Sequence, residues 1–90
     1  MNREANMKLT AEMSLYPLQE DYIPIIQGFI DNVRSHSDLE IVSNAMSTQI
    51  SGDYDKVFDV VSDALATSTR TFGKQVLVVK FIPWELDLNP

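Results

Sequence analysis

The sequence predicts an α+β fold in which strands and helices follow the order β-α-β-β-α-β, and three observations predict it. Met7–Leu15 alternates apolar and polar residues with the period of a strand. Two later stretches, Ile26–Val33 and Tyr54–Phe72, carry apolar residues at three- and four-residue spacing, the period of a helix buried on one side. A Val-rich run, Gln75–Ile82, closes the order as a last strand.

In the first strand Leu9, Ala11, Met13 and Leu15 share one face, while Lys8, Thr10, Glu12, Ser14 and Tyr16 share the other, so the strand is half-buried. Pro17 is expected to end it, because proline cannot donate to a sheet ladder. Asp21 suits an N-cap and Pro24 a first helical turn. Ile26, Phe29, Ile30 and Val33 then form one apolar stripe. Gly28 weakens this helix by about 1 kcal/mol relative to Ala, or marks close packing on the sheet. The helix is expected to fade at Ser35-His36-Ser37-Asp38. Leu39–Asn44 and Ser47–Ser51 read as the next two strands, joined tightly around Ala45-Met46 without the Asn-Gly or Asp-Gly of a good two-residue hairpin. Gly52-Asp53 breaks the chain and caps a long helix whose buried side is Tyr54, Val57, Phe58, Val61, Ala64, Leu65 and Phe72, with Gly73 as its C′ residue. The last strand is apolar enough for burial or a subunit contact. Pro83 stops it and leaves a tail with Trp84.

Two split β-α-β units of this kind make a ferredoxin-like sandwich, with two helices on one face of a four-stranded antiparallel sheet. Its first and third strands are central neighbours. Its other face is expected to be uncovered, which suits assembly into a homodimer or homotetramer through the sheet.

Ninety residues allow one domain, 1–90, with a core at about 7–82. An apolar fraction of 44% with 22% charged residues argues against disorder. The lack of Cys removes disulfides, thiol nucleophiles and thiolate metal sites. A net charge of −6 with scattered Lys and Arg lacks the footprint of a nucleic-acid binder and mildly favours a cationic small molecule. The polar Met1–Met7 stretch is not a secretory signal, and no apolar run reaches the roughly 20 residues of a membrane span. A cytoplasmic location is expected.

Catalysis has little support. His36 is the only histidine, at a predicted helix end where the dipole accounts for it, so neither a metal site nor a Ser-His-Asp arrangement is expected. The glycines are isolated, so no phosphate loop exists. Asp53 with Asp55, and Glu85 with Asp87, read as solvated acids beside a cap and in the tail. No catalytic residue, metal ligand or cofactor is predicted. What remains is a set of polar groups on two strands predicted to be adjacent. Ser14, Ser47 and Thr48 offer hydroxyls, Asn44 a donor and an acceptor, and Tyr16 a ring with a hydroxyl. A few polar groups on an apolar bed can read the edge of a flat heteroaromatic ring. Each also has a plain structural reading: Thr favours strands, Tyr packs at strand ends, and Asn44 suits a turn.

At these residues the chain resembles the YkoF-like family of thiamine- and hydroxymethylpyrimidine-binding proteins. Ser14-Leu15-Tyr16-Pro17-Leu18 followed by Asp21-Tyr22-Ile23 is similar to the family's first strand and start of the first helix. Asn44-Ala45-Met46-Ser47-Thr48-Gln49, then Gly52-Asp53-Tyr54-Asp55 and Val57-Phe58, is similar to its central hairpin and second helix. The resemblance spans about Met7 to Ile82. It implies a ferredoxin-like fold, assembly through sheets, and binding of the pyrimidine part of thiamine without altering it, in uptake or salvage of the vitamin. Thr48 matches the hydroxyl residue of the hairpin motif, and Ser14 and Tyr16 match the first motif. Asn44 stands where some relatives have an acidic residue, so it lacks that charge. Some relatives carry two such domains, so an oligomer would supply the missing half here. The alternative is a small oligomeric structural or regulatory module that binds no ligand.

Overall fold

The structure, a computed structural model, describes residues 6–36 and 38–89. Ser37 and most of the polar N-terminal stretch therefore lie outside the described residues. The elements are β1 (Lys8–Pro17), α1 (Tyr22–Arg34), β2 (Glu40–Ser43), β3 (Thr48–Asp53), α2 (Tyr54–Phe72) and β4 (Gln75–Ile82). They form an antiparallel sheet in the order β2-β3-β1-β4, the ferredoxin-like arrangement, with β1 and β3 as the central pair.

Alternation along β1 places Leu9, Ala11 and Met13 against the helices, where all are buried. Ile50 of β3 lies opposite Ala11, and this layer meets Phe29 and Val33 of α1 and Val57, Val60, Val61 and Ala64 of α2. Burying such side chains contributes about 1.5–3 kcal/mol each, which is the main drive for a chain this small. Phe81 of β4 extends the layer by stacking on Phe58, with ring centroids 4.7 Å apart.

Several local expectations are corrected. β1 does end at Pro17, but Pro17 is itself the last paired residue, opposite Gln75. Along β1, the Met7 carbonyl accepts from Tyr54 N–H on the β3 side, and Leu18 N–H donates to Lys74 on the β4 side. Alternation therefore turns the Pro17 nitrogen toward the β3 side, beyond the last β1–β3 pair, so its missing N–H costs no ladder bond. In α1 the buried residues are Ile25, Phe29 and Val33, while Ile26 and Ile30 are half-buried. Gly28 faces Phe72 of α2 rather than the sheet. Both Asp21 and Asp53 stand at N-caps, yet neither side chain makes a capping hydrogen bond. Asp53 is held instead by Lys8 Nζ at 2.7 Å. In α2, Val60 and Ser68 are buried, Tyr54, Phe58, Leu65 and Phe72 only half-buried. Asp55 is not solvated but only 9% exposed, in the first turn where the helix dipole favours a carboxylate.

The face away from the helices is not bare. After Ile82 the tail turns across it. The Trp84 carbonyl accepts a hydrogen bond from Thr10 Oγ1 on β1 (2.8 Å), and Thr10 Oγ1 also lies 2.8 Å from Ser51 Oγ on β3. Farther on, Leu88 N–H donates to Glu40 Oε1 on β2 (2.7 Å). Val76, Val78 and Ile82 on β4 remain exposed on this face.

Candidate functional site

The β2–β3 connection builds the site. It spans Asn44 to Ser47, longer than the predicted Ala45-Met46 turn, and Asn44 supplies what the missing Asn-Gly would have given. Its main-chain N–H donates to the Ser47 carbonyl (3.0 Å), and its side-chain Oδ1 accepts from the N–H groups of Met46 (2.8 Å) and Ser47 (3.2 Å). This is an Asx-type turn, in which the side chain takes the place of a backbone carbonyl.

Pairing between β1 and β3 stops at Met13–Thr48, while β1 runs on to Pro17 with only β4 beside it. A cleft of about 380 Å³ opens there, between the end of β1, the 44–47 turn and the first half of α1. Its size falls within the roughly 300–1,000 Å³ of small-molecule sites. Leu15, Ile26, Phe29 and Ile30 form its apolar bed, and Tyr16 and Tyr22, each more than half exposed, stand with it.

Ser14, Tyr16, Asn44, Ser47 and Thr48, the residues singled out by the sequence, all line this cleft. Their side chains do different things. Thr48 is 5% exposed on the helix side of the sheet, with Oγ1 3.0 Å from Ser43 Oγ. Two hydroxyls sharing one hydrogen bond hold two protons between them, so one donor and several lone pairs stay available. Ser43 is a partner that the sequence reading missed; it sits directly opposite Thr48 in the register. Ser47 turns to the other face of the sheet. Its Oγ donates to Glu12 Oε2 at 2.9 Å, and Lys80 Nζ lies 3.8 Å from Glu12 Oε1. Ser14 Oγ donates to the Met46 carbonyl at 3.4 Å. Asn44 and Thr48 do not bond one another; each has its own partner. Tyr22 was also missed as a lining residue, although it falls within the motif quoted for the start of the helix.

His36 does not line the cleft. Its Nε2 has no hydrogen bond and lies 4.0 Å from Asp63 Oδ2. Among the described residues no cluster of His, Cys, Asp and Glu could hold a metal ion, and no helix is long and apolar enough to cross a membrane.

Comparisons with known proteins agree with this fold. The solved structure of a Streptococcus pneumoniae protein superposes with a TM-score of 0.81 at 20% identity, covering 89% of this chain and 90% of that one. A Thermotoga maritima protein, provisionally assigned to thiamine biosynthesis/salvage, superposes with a TM-score of 0.74 at 18% identity, covering 82% and 81%. A hypothetical protein of Methanocaldococcus jannascii gives 0.74 at 25% identity, covering 92% and 87%. These similarities speak to the fold. No curated protein matches the chain. The profile of the YKOF-related family, however, matches residues 8–81, from the first residue of β1 to Phe81 in β4, and on that match the chain belongs to the YKOF-related family.

Proposed function

We propose that the cleft binds the pyrimidine part of thiamine, or free hydroxymethylpyrimidine, without altering it, in uptake or salvage of the vitamin. The observation that carries this reading is the Thr48 hydroxyl, which lines an apolar cleft that Tyr16 and Tyr22 flank and is held from behind by the Ser43 hydroxyl. A hydroxyl fixed in this way orients a flat polar ring, and the aromatic and aliphatic side chains cover its faces. Family membership supports the ligand class, as does the thiamine assignment of the Thermotoga maritima protein. The acidic chain, with a net charge of −6, also suits a ligand carrying a cationic thiazolium. The whole of residues 1–90 acts as one binding unit in this reading, and copies assemble through their sheets.

One observation favours the alternative of a ligand-free module: Ser14, Asn44, Ser47 and Thr48 each already have a partner within the protein. Calorimetric titration with thiamine, hydroxymethylpyrimidine and the thiazole half separates the two. Heat from both pyrimidine-containing compounds and none from the thiazole supports the binding reading. Absence of heat with either pyrimidine compound, at protein concentrations well above micromolar, refutes it. Turnover of any of the three would establish catalysis instead.

A further inference from the structure

The β1–β3 register pairs residues whose numbers run Lys8 with Asp53 through Met13 with Thr48. Continued by two residues, it would set Leu15 against Met46. The Met7–Tyr54 bond shows that odd-numbered residues of β1 direct their main-chain groups toward β3. Leu15 should therefore exchange two hydrogen bonds with Met46, and it does not. Met46 N–H is taken by Asn44 Oδ1 at 2.8 Å, and the Met46 carbonyl accepts from Ser14 Oγ at 3.4 Å. The Met46 N–H is thus diverted and its carbonyl is engaged by Ser14, and no backbone bond joins Leu15 to the turn. Leu15 is left with a donor and an acceptor side by side on an uncovered stretch of strand edge. The cleft includes that edge, because residues from both faces of β1, Leu15 on one and Ser14 and Tyr16 on the other, line it together.

We propose that the Leu15 main chain reads the edge of the bound ring, and that Asn44 and Ser14 are positioning residues that keep this edge open by holding Met46 away. The ligand it fits is a flat heterocycle with an acceptor nitrogen beside an amino group, standing where Met46 would otherwise pair. This rests on the binding reading above and adds how the ring is recognised. It also gives Asn44 and Ser14 a role that requires no contact with the ligand. An unpaired N–H and C=O in a partly buried cleft are costly without a partner, so a ring that pairs both is strongly selected over one that pairs neither.

The test follows the Leu15 amide by hydrogen exchange in the full chain, with 4-amino-5-hydroxymethyl-2-methylpyrimidine as probe. The free protein should exchange Leu15 fast relative to Met13, and saturation with the probe should slow it at least tenfold. The 4-dimethylamino analogue, which lacks the donor, should bind about tenfold more weakly. Asn44→Ala should release Met46 to pair with Leu15, protecting that amide in the free protein and weakening the probe. Asn44→Asp keeps the Oδ acceptor and should restore both. Probe binding with no change at Leu15, or Leu15 already protected in the free wild-type protein, overturns the edge reading while leaving the binding function standing. Absence of probe binding, with the Leu15 amide exchanging freely, overturns both.

Discussion

Thr48→Val isolates the hydroxyl on which the proposed site depends. Val keeps the branched shape and strand preference of Thr, so packing beside Met13 and Ile50 changes little and the hydroxyl is the main loss. Thr48 is 5% exposed, and its hydroxyl lies 3.0 Å from that of Ser43, which is only half-buried. Removing one partner forfeits a hydrogen bond of about 1 kcal/mol, but Ser43 can turn to water and escape most of the penalty of an orphaned buried group. The expected destabilisation is therefore about 0.5–1.5 kcal/mol, read as a lower urea midpoint at unchanged slope. The double-mutant cycle with Ser43→Ala should return a coupling of about 1 kcal/mol, because the second substitution has no bond left to break. Calorimetry on the folded Thr48→Val protein should show hydroxymethylpyrimidine binding about tenfold weaker. Strict additivity within about 0.3–0.5 kcal/mol would show that the hydroxyls do not pair in solution. Unchanged ligand affinity would remove Thr48 from the site.

Gly28→Ala should stabilise the protein by about 0.5–1 kcal/mol, seen as a rise of a few degrees in Tm. A Cβ there meets the Phe72 ring at 3.5 Å, an ordinary contact, and the helix loses a glycine. Gly52→Ala should do the reverse, but by less than about 1 kcal/mol, since its Cβ would displace Leu39 Cδ2, the end of a half-buried, flexible side chain that can turn aside. Combining it with Leu39→Ala should make the Gly52 substitution cost less than it does alone, as urea titration would reveal. The Lys8–Asp53 pair gives acid and alkaline signatures. Its hydrogen bond and the Lys8 charge hold the Asp53 carboxyl below 3.8, so its contribution is complete above that value and fades as pH falls through the lower folded-state pKa. The same bond raises Lys8 above 10.5, so its contribution is complete below that value and fades as pH rises through the higher one. Both groups are exposed, so the effect should be small, shrink with salt and vanish in Asp53→Asn. An acid limb of the stability profile unchanged by Asp53→Asn would contradict it.

The order of elements was legible because two periods, 2 and 3.6, alternate along the chain, and the resulting topology correctly brings the two polar-bearing segments side by side. Details failed where a tertiary neighbour decides the outcome. Pro17 is the strand stop it reads as, but that it still pairs with Gln75 depends on its nitrogen facing the side where β1 has no partner. Ile26 fits a helical stripe as well as Ile25 does; only the position of α1 over the sheet separates core from cleft. Asp55 reads as one more acid beside a cap, and its burial comes from packing around α2. In the site, the hydroxyl and amide residues were visible as letters, whereas Ser43 required the hairpin register. The Leu15 edge could not be read at all, because main-chain groups are identical at every position and become distinctive only when a neighbour fails to pair.

The tail over Thr10 and Glu40 has a consequence for assembly. A covalently tethered segment meets its own sheet at an effective concentration in the millimolar range, whatever the amount of protein. Any second copy approaching that half of the face competes with this internal occupant, whereas the exposed Val76 and Val78 of β4 face no such rival. A second copy docking on this face would therefore meet least competition on the β4 side, against a constant rather than a variable competitor. The segment that follows Ile82 would thus set a threshold that any such docking has to exceed.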